Sequence, residues 1–306
     1  MKGANMLGLS TVWMSENLKN DDDLFRILAD VGLESLELEY RIPERLFLKI
    51  KPKLKNRVIS VHNFFPFPQE YSHCKPSGDL FLLSSLDREE REKAIKFALK
   101  TIQTAHDLEC SAVVLHLGRV EMESGYKKFC HYYDSHQINS PEMDLFLSRM
   151  RRERTSKRQP FLDTVLFSLE KLNKEAEKQG VSLGVENRYY FHEIPNFEEL
   201  KVIFQKFAGG KIFFWHDVGH GHVQEKLRIQ SHQELLEAYS PFLLGVHLHD
   251  AQGYTDHSAP GKGEINFDMI KRFVQDVAIK VLELHPRVSL EEIKKGIALL
   301  RSLGYY

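Results

Sequence analysis

Residues 244–267 read Leu244-Gly-Val-His247-Leu-His249-Asp250-Ala-Gln-Gly-Tyr-Thr-Asp256-His257-Ser-Ala-Pro-Gly-Lys-Gly-Glu-Ile-Asn-Phe267. The stretch opens as an apolar strand and closes in a Pro-Gly-Lys-Gly turn. Between the two stand His247, His249, Asp250, Asp256 and His257. Ionisable groups crowding the exit of a buried strand cost free energy unless they bind something. Imidazole and carboxylate together are what a borderline divalent cation takes as ligands. The alternative is a set of hydrogen-bonded loop residues, so the rest of the chain decides what this exit belongs to.

Working outward, eight runs read as strands: Met6–Val12, Ser35–Tyr40, Arg57–Phe64, Ser111–Gly118, Val181–Arg188, Lys211–Asp217, Leu243–Asp250 and Ala278–His285. Helical patterns follow them. Asp21–Val31 is stopped by Gly32, and a helix near Pro43–Leu54 comes next. Asp87–Leu108 has Asp87 as N-cap with Glu90 in capping-box position. Phe161–Gln179 is closed by Gly180, and Asn196–Phe207, Gln233–Tyr239, Phe267–Asp276 and Ser289–Leu303 complete the set. Strands apolar along their length imply a parallel sheet covered by helices. Eight such units without a linker predict a single-domain α/β fold over 1–306, a (β/α)8 TIM barrel, with a doubly wound sheet as the fallback. Residues 119–160 break the rhythm and read as a lid-like insertion, or added helical element, after the fourth strand. They end in a basic run, Arg149 to Arg158, which is either a solvated helix face or a phosphate-binding arm over the site.

Composition narrows the classes. The 306 residues are 42% hydrophobic and 28% charged, enough apolar material for a large core. A formal charge of −1 creates no global field to recruit nucleic acid or a membrane. Cys74, Cys110 and Cys130 share no metal-ligand spacing and leave one unpaired, which suits a reducing compartment. The opening residues lack a long apolar run and no stretch reaches transmembrane length, so a cytoplasmic location is the expectation. What stands out is the 15 histidines, by their positions rather than their number.

In a barrel of this kind the C-terminal ends of the strands converge on one mouth. The third strand ends with His62, the fourth with His116 and the fifth with Glu186. The sixth ends with Asp217 and, one loop turn on, His220; the seventh brings His247 and its loop His257; the eighth brings Glu283. One such residue is ordinarily structural. Six consecutive strands ending in a candidate ligand are hard to attribute to packing, because three carboxylates in one cavity need a cation to offset repulsion and desolvation.

With its matching motifs in order, the chain resembles the xylose-isomerase-like TIM-barrel superfamily, which holds sugar isomerases and epimerases, hydroxypyruvate isomerase, inosose dehydratase and endonuclease IV. The motifs are Val-Glu-Asn at 185–187, Asp-Val-Gly-His at 217–220, His-Leu-His-Asp at 247–250, His-Ser-Ala-Pro-Gly-Lys-Gly-Glu-Ile-Asn-Phe at 257–267 and Leu-Glu-Leu at 282–284. They cover nearly the whole chain and are specific for the superfamily rather than for one member. The resemblance implies a divalent ion held by Glu186, Asp217, His247 and Glu283, with Glu186 and Glu283 also exchanging a proton beside a carbonyl. It implies that His220 and His257 contact substrate oxygens. The endonuclease IV branch, with three zinc ions, adds ligands at the positions of His62, His116, His220 and His257 and at an aspartate where Thr255 stands here, Asp256 being displaced by one.

Smaller expectations attach to neighbours. Arg188 and Trp13 are candidate substrate contacts, Trp13 as an apolar wall, with packing as the alternative for both. Tyr189, Tyr190 and His192 line or shield the rim. By strand alternation His216 points away from the axis, His249 and His285 share the faces of His247 and Glu283, and Asp250 turns away unless the strand has ended. The expectation is a metal-dependent isomerase or epimerase of a small sugar, sugar phosphate or related hydroxy-carbonyl compound. It would use one to three ions of zinc, manganese, cobalt or magnesium, with no membrane partner. The alternatives are an endonuclease IV-like zinc phosphodiesterase acting on damaged DNA and a barrel that binds metal and sugar without catalysis. A binding protein would take up sugar without hydrogen exchange at its carbon.

Overall fold

The computed structural model describes residues 6–15 and 22–306. Residues 1–5, and 16–21 with the expected polar turn and Asp21, lie outside the described residues. Strands β1 (Met6–Ser10), β2 (Ser35–Leu38), β3 (Val58–His62), β4 (Ala112–Leu115), β5 (Ser182–Glu186), β6 (Ile212–Asp217) and β7 (Leu243–Leu248) share one sheet. After β7 a short antiparallel ribbon, β8 (Asp250–Gln252) with β9 (Thr255–Ser258), stands apart before β10 (Ile279–Leu282) returns to the sheet. The sheet closes in the order β1-β10-β7-β6-β5-β4-β3-β2, all neighbours parallel, which is the expected (β/α)8 barrel.

The helices are α1 (Thr11–Met14), α2 (Asp23–Val31), α3 (Glu44–Ile50), α4 (Arg88–Asp107), α5 (Tyr126–Asp134) and α6 (Pro141–Gln179). They continue with α7 (Phe197–Lys206), α8 (Val218–Lys226), α9 (His232–Tyr239), α10 (Phe267–Val274) and α11 (Leu290–Ser302). Their ends follow capping chemistry. Gly32 and Gly180 close α2 and α6 in the left-handed conformation that glycine adopts without steric cost. Asn196 with Glu199, and Ser289 with Glu292, form reciprocal capping boxes. Asp87 caps α4 as expected, but Glu90 turns to Ser85 Oγ (2.7 Å) and the Leu82 amide (3.3 Å) instead of completing a box.

Inside the barrel a small cluster of Ile59, Ala112, Val114, Trp215, Ile279 and Val281 fills the base. Trp215 on β6 fits because its two neighbours carry no side chain: a Cβ at Gly245 would lie 2.3 Å from the indole, and one at Gly184 2.9 Å. The larger apolar layer lies between sheet and helices. β3 carries one extra residue against β2, pairing Leu36 with Val58 but Glu37 with Ser60. Such a bulge re-aims side chains, and here it sets the Ser60 hydroxyl on Glu37.

Of the two readings of 119–160, the helical one describes what is there: the stretch supplies α5 and the first half of α6. The helix expected over Phe161–Gln179 needs correction, because it begins at Pro141 and is a single 39-residue helix with Pro160 as an interior residue. The apolar stripe runs straight through Pro160. Met143, Phe146, Leu147 and Met150 pack with Phe129, Phe191, Val223 and Leu227, while Phe161, Leu162, Val165, Leu169, Leu172 and Ala176 lie buried further along the helix. The basic run is not an arm over the mouth, and none of it lines the mouth. Arg149, Arg151 and Arg152 are exposed, whereas Arg154 is buried and paired bidentately with Glu199 (2.6 and 2.9 Å).

Candidate metal centre

Parallel strands deliver their C-terminal residues to one end, and there the chain gathers three overlapping donor groups. They are His62, His116 and Glu186; Glu186, Asp217, His247 and Glu283; and Asp217, His220 and His257. Within each group the ligand atoms lie within 4.8 Å of one another. Glu186 belongs to the first two groups and Asp217 to the last two, so the donors form a continuous row. In the central group His247 Nδ1 stands 2.7 Å from Glu186 Oε1, 2.8 Å from Glu283 Oε2 and 3.7 Å from Asp217 Oδ2. In the first, His116 Nε2 is 2.8 Å and His62 Nε2 3.9 Å from Glu186 Oε2.

Asp217 ends β6 and also caps α8, accepting from the His220 amide at 2.7 Å. His220 therefore rides on the first turn of a helix rather than in a loop. The Asn187 amide spans the gap between strand ends, accepting from Asp217 N (2.8 Å) and donating to Asp217 O (2.9 Å). Asp250 has left the barrel strand and organises the Pro-Gly-Lys-Gly turn, accepting from the amides of Ala251, Gly261 and Ile265. His257 sits on the ribbon with φ of 60°, a left-handed conformation uncommon outside glycine. It is held there from both sides: its amide donates to His249 Nδ1 (2.9 Å), and its carbonyl accepts from His285 N (2.9 Å).

The imidazoles are set by what stands behind them. His62 Nδ1 and His220 Nδ1 each meet a backbone carbonyl at 2.9 Å, of Asn63 and Asn187, so each donates there and leaves Nε2 with a free lone pair. His249 accepts on Nδ1 and so donates Nε2–H to both Asp217 oxygens at 3.0 Å. Two carboxylates that the sequence analysis passed over back two more rings. Glu37 Oε2 lies 3.2 Å from His247 Nε2, and Asp79 Oδ2 lies 3.3 Å from His116 Nδ1. Asp256 Oδ1 lies 3.0 Å from His257 Nδ1, and its Oδ2 3.9 Å from His220 Nε2.

Electrostatics bind the row together. Burial opposes ionisation of Glu186, but the imidazoles of His116, His247 and His62 outweigh it and hold the carboxyl well below the usual range. Asp217 is likewise held low against burial by His220 and His249. Burial and Arg188 would depress His116, yet Asp79 and Glu186 raise it to about 9. Burial would also depress His257, which Asp256 raises to about 10. Protons on these rings stand in for the positive charge that the carboxylates require. Three carboxylates and one histidine in the central group, flanked by histidines, form a donor set that fits a divalent ion, with imidazole favouring zinc and oxygen favouring manganese or magnesium.

The cavity at the mouth measures about 350 Å³ and is lined by Arg188, Glu186, Glu283, His257 and Tyr40, among others. Arg188 is buried and paired with Glu186 (2.9 Å), Glu193 (2.9 Å) and Asp79 (3.1 Å), and its Nε has no partner. Trp13 does not line the cavity; it packs in the outer core and donates Nε1–H to Val288 O (2.7 Å), while Val12 forms that part of the wall. His216 turns away and meets His232, Nε2 to Nε2 at 2.8 Å. His285 lines the mouth. Tyr189 and Tyr254 join the rim to the insertion, with Tyr189 Oη 3.0 Å from Tyr126 Oη and Tyr254 Oη donating to Asp134 (2.9 Å).

The chain compares with known proteins as follows. A family model described as xylose isomerase-like TIM barrel matches residues 25–303. No curated protein sequence matches. Among solved structures, a D-tagatose 3-epimerase-like protein is 17% identical with a TM-score of 0.67, covering 97% of this chain and 96% of its own. The IolI protein, solved with a bound zinc atom, is 13% identical with a TM-score of 0.69, covering 98% and 99%. D-Psicose 3-epimerase from Clostridium cellulolyticum, solved with D-tagatose, is 13% identical with a TM-score of 0.66, covering 98% and 99%. Identities this low establish the fold alone.

Proposed function

Because the chain belongs to the xylose isomerase-like TIM-barrel family, we propose that it is a metal-dependent enzyme that isomerises or epimerises a small sugar or a sugar-like hydroxy-carbonyl compound. The observation that carries this reading is the buried central group, in which Glu186 and Glu283, from strands three places apart around the barrel, flank one site with Asp217 and His247. Sugar epimerases among the structural neighbours support the same class. A divalent ion bound there would polarise the carbonyl and hydroxyl oxygens of the substrate. The chain's own groups do the rest. Glu186 accepts from His116 and Arg188, stands 2.7 Å from His247 Nδ1 and serves chiefly as a held ligand. Glu283 faces the cavity with only Oε2 engaged, by His247, so its other oxygen can take a proton from the carbon beside the carbonyl. Arg188 lines the cavity, where its guanidinium charge favours a substrate oxygen. The cavity volume lies in the range of small-molecule sites.

The test is deuterium uptake from D2O at the carbon beside the carbonyl, followed by NMR for D-tagatose, D-psicose and L-ribulose with zinc, manganese or cobalt present. Metal-dependent exchange of at least one sugar is the expected result. Sugar binding without exchange would favour the non-catalytic barrel.

One observation favours a second reading, phosphodiester hydrolysis by a three-ion site. The three donor groups share Glu186 and Asp217 as bridges, and Asp256 brings a carboxylate to His220 and His257 although Thr255 occupies the expected position. Cleavage of abasic DNA with two to three zinc ions per chain, and no sugar exchange, would put this reading first.

Either reading requires the ion to stabilise the fold. Adding zinc to a hundred times its dissociation constant contributes about 2.7 kcal/mol, which raises the melting temperature by roughly 5 °C in a chain of this size. Scanning calorimetry with and without chelator checks it; a transition that moves with neither would remove the metal from both readings.

A further inference from the structure

Strand β2 contributes no residue to the three donor groups, yet it places a carboxylate directly beneath them. Glu37 is fully buried, on a strand covered on both faces. Its Oε1 accepts from Ser10 Oγ (3.0 Å) on β1 and its Oε2 from Ser60 Oγ (2.8 Å) on β3. The third group in reach is His247 Nε2, at 3.2 Å from Oε2. A buried carboxylate is costly unless its charge is used, and two serine hydroxyls are neutral. The group in this cage that can carry positive charge, or share in a cation's, is the His247 ring.

We infer that Glu37 is a positioning residue of the metal centre, holding the proton of His247 on Nε2 so that Nδ1 faces the ion with Glu186, Asp217 and Glu283. A neutral imidazole carries its proton on one nitrogen or the other. With the proton on Nδ1, an N–H would point at the place where Glu186 and Glu283 converge and would oppose a cation. With Glu37 accepting at Nε2, the lone pair is directed there instead and the ring becomes a stronger donor. The serines of β1 and β3 fix the carboxylate in turn, and the bulge between β2 and β3 brings Ser60 opposite Glu37. The ring itself has little freedom to turn, lying edge-on to Trp215 (5.1 Å between centroids) and parallel to His62 (6.1 Å). Glu37 is not among the residues that line the cavity, and its side-chain partners among the described residues are Ser10, Ser60 and His247, so its influence on an ion passes through His247.

This inference rests on the metal reading of the same site, and its test separates the two. Zinc affinity is measured by chelator competition for the full chain and for Glu37→Gln, and the visible spectrum of the cobalt-substituted proteins is recorded. Glutamine keeps the shape and an acceptor oxygen but removes the charge. The expected result is a 10- to 100-fold loss of zinc affinity with altered cobalt bands. Unchanged affinity and unchanged bands in Glu37→Gln would overturn the inference, whatever happens to the melting temperature, because a purely structural carboxylate moves only the latter. Should Glu37→Gln fail to fold, Glu37→Asp keeps the charge but draws it back from Nε2 by one methylene. It is expected to lose affinity and shift the cobalt bands, and wild-type values in it would overturn the inference equally. If the wild-type chain itself takes up no ion, the metal reading fails and this inference falls with it.

Discussion

Glu283→Gln is expected to lower turnover by about a hundredfold to ten-thousandfold, the range that a positioned general base contributes. The substitution preserves size but removes the negative charge that stands beside His247 and lines the cavity. Glutamine cannot hold the transferred proton. It also takes one of three carboxylates from the central group, so affinity for the ion falls as well. The two losses are separated by assaying at saturating metal, where the ion deficit disappears and the proton-transfer deficit stays. Turnover at saturating metal within a few-fold of wild type would remove Glu283 from the chemistry and leave it a ligand only.

The second large effect is expected at a residue outside the three donor groups. Arg154 donates to both oxygens of Glu199, to Phe191 O (3.1 Å) and to Glu193 O (2.7 Å), with its side chain and that of Glu199 almost wholly buried. Arg154→Ala leaves the Glu199 carboxylate buried and unpaired along with two carbonyls, a loss of about 3–5 kcal/mol. Denaturant unfolding checks the figure. Removing both charges, as in Arg154→Met with Glu199→Leu, is expected to restore part of the stability by removing the unpaired charge, while the Phe191 and Glu193 carbonyls and the Asn196 amide stay without the partners they had. A single variant as stable as wild type would show that the pair is dispensable. The double variant also probes function: Glu193 holds Arg188 at 2.9 Å, and without Arg154 behind the 188–193 loop the guanidinium at the mouth is less well placed.

Much of this architecture is written locally. Most of the eight strands declare themselves as apolar runs, and His62, His116, Glu186, Asp217, His247 and Glu283 stand out at or near their ends. The family resemblance, not spacing, singled out Glu186, Asp217, His247 and Glu283, and the fold brings these four together. What escaped notice depends on contacts between distant segments. Ser-Leu-Glu-Leu-Glu-Tyr reads as an alternating strand, which by itself assigns its glutamates no role. In a parallel barrel no strand face meets water, so Glu37 needed an interior partner, a signal present but unused. Asp79 lay in a loop of prolines with nothing local to mark it. The helix α8 after Asp217 was hidden because Val-Gly-His-Gly-His is rich in glycine, and its capping residue doubles as a candidate ligand. Arg154 looked like its basic neighbours, and only Glu199, 45 positions on, distinguishes it.

The length of α6 has a consequence for the evolution and engineering of the chain. A helix of 39 residues extends roughly 58 Å, nearly twice the length of the 20-residue α4. Its later half packs with the body of the barrel, and its earlier half builds a second apolar nucleus with Phe129, Phe191, Val223 and Leu227. One rigid rod thus joins the two nuclei, with α8 as a second, shorter link through Val218 and Val223, and Arg154 fastens its middle to the loop that bears Arg188. The segment 119–160 is therefore not expected to be trimmed or exchanged as a module. Opening of the outer nucleus and loosening of the mouth are parts of one cooperative event, and substitutions tolerated in the outer nucleus are those that leave this rod intact.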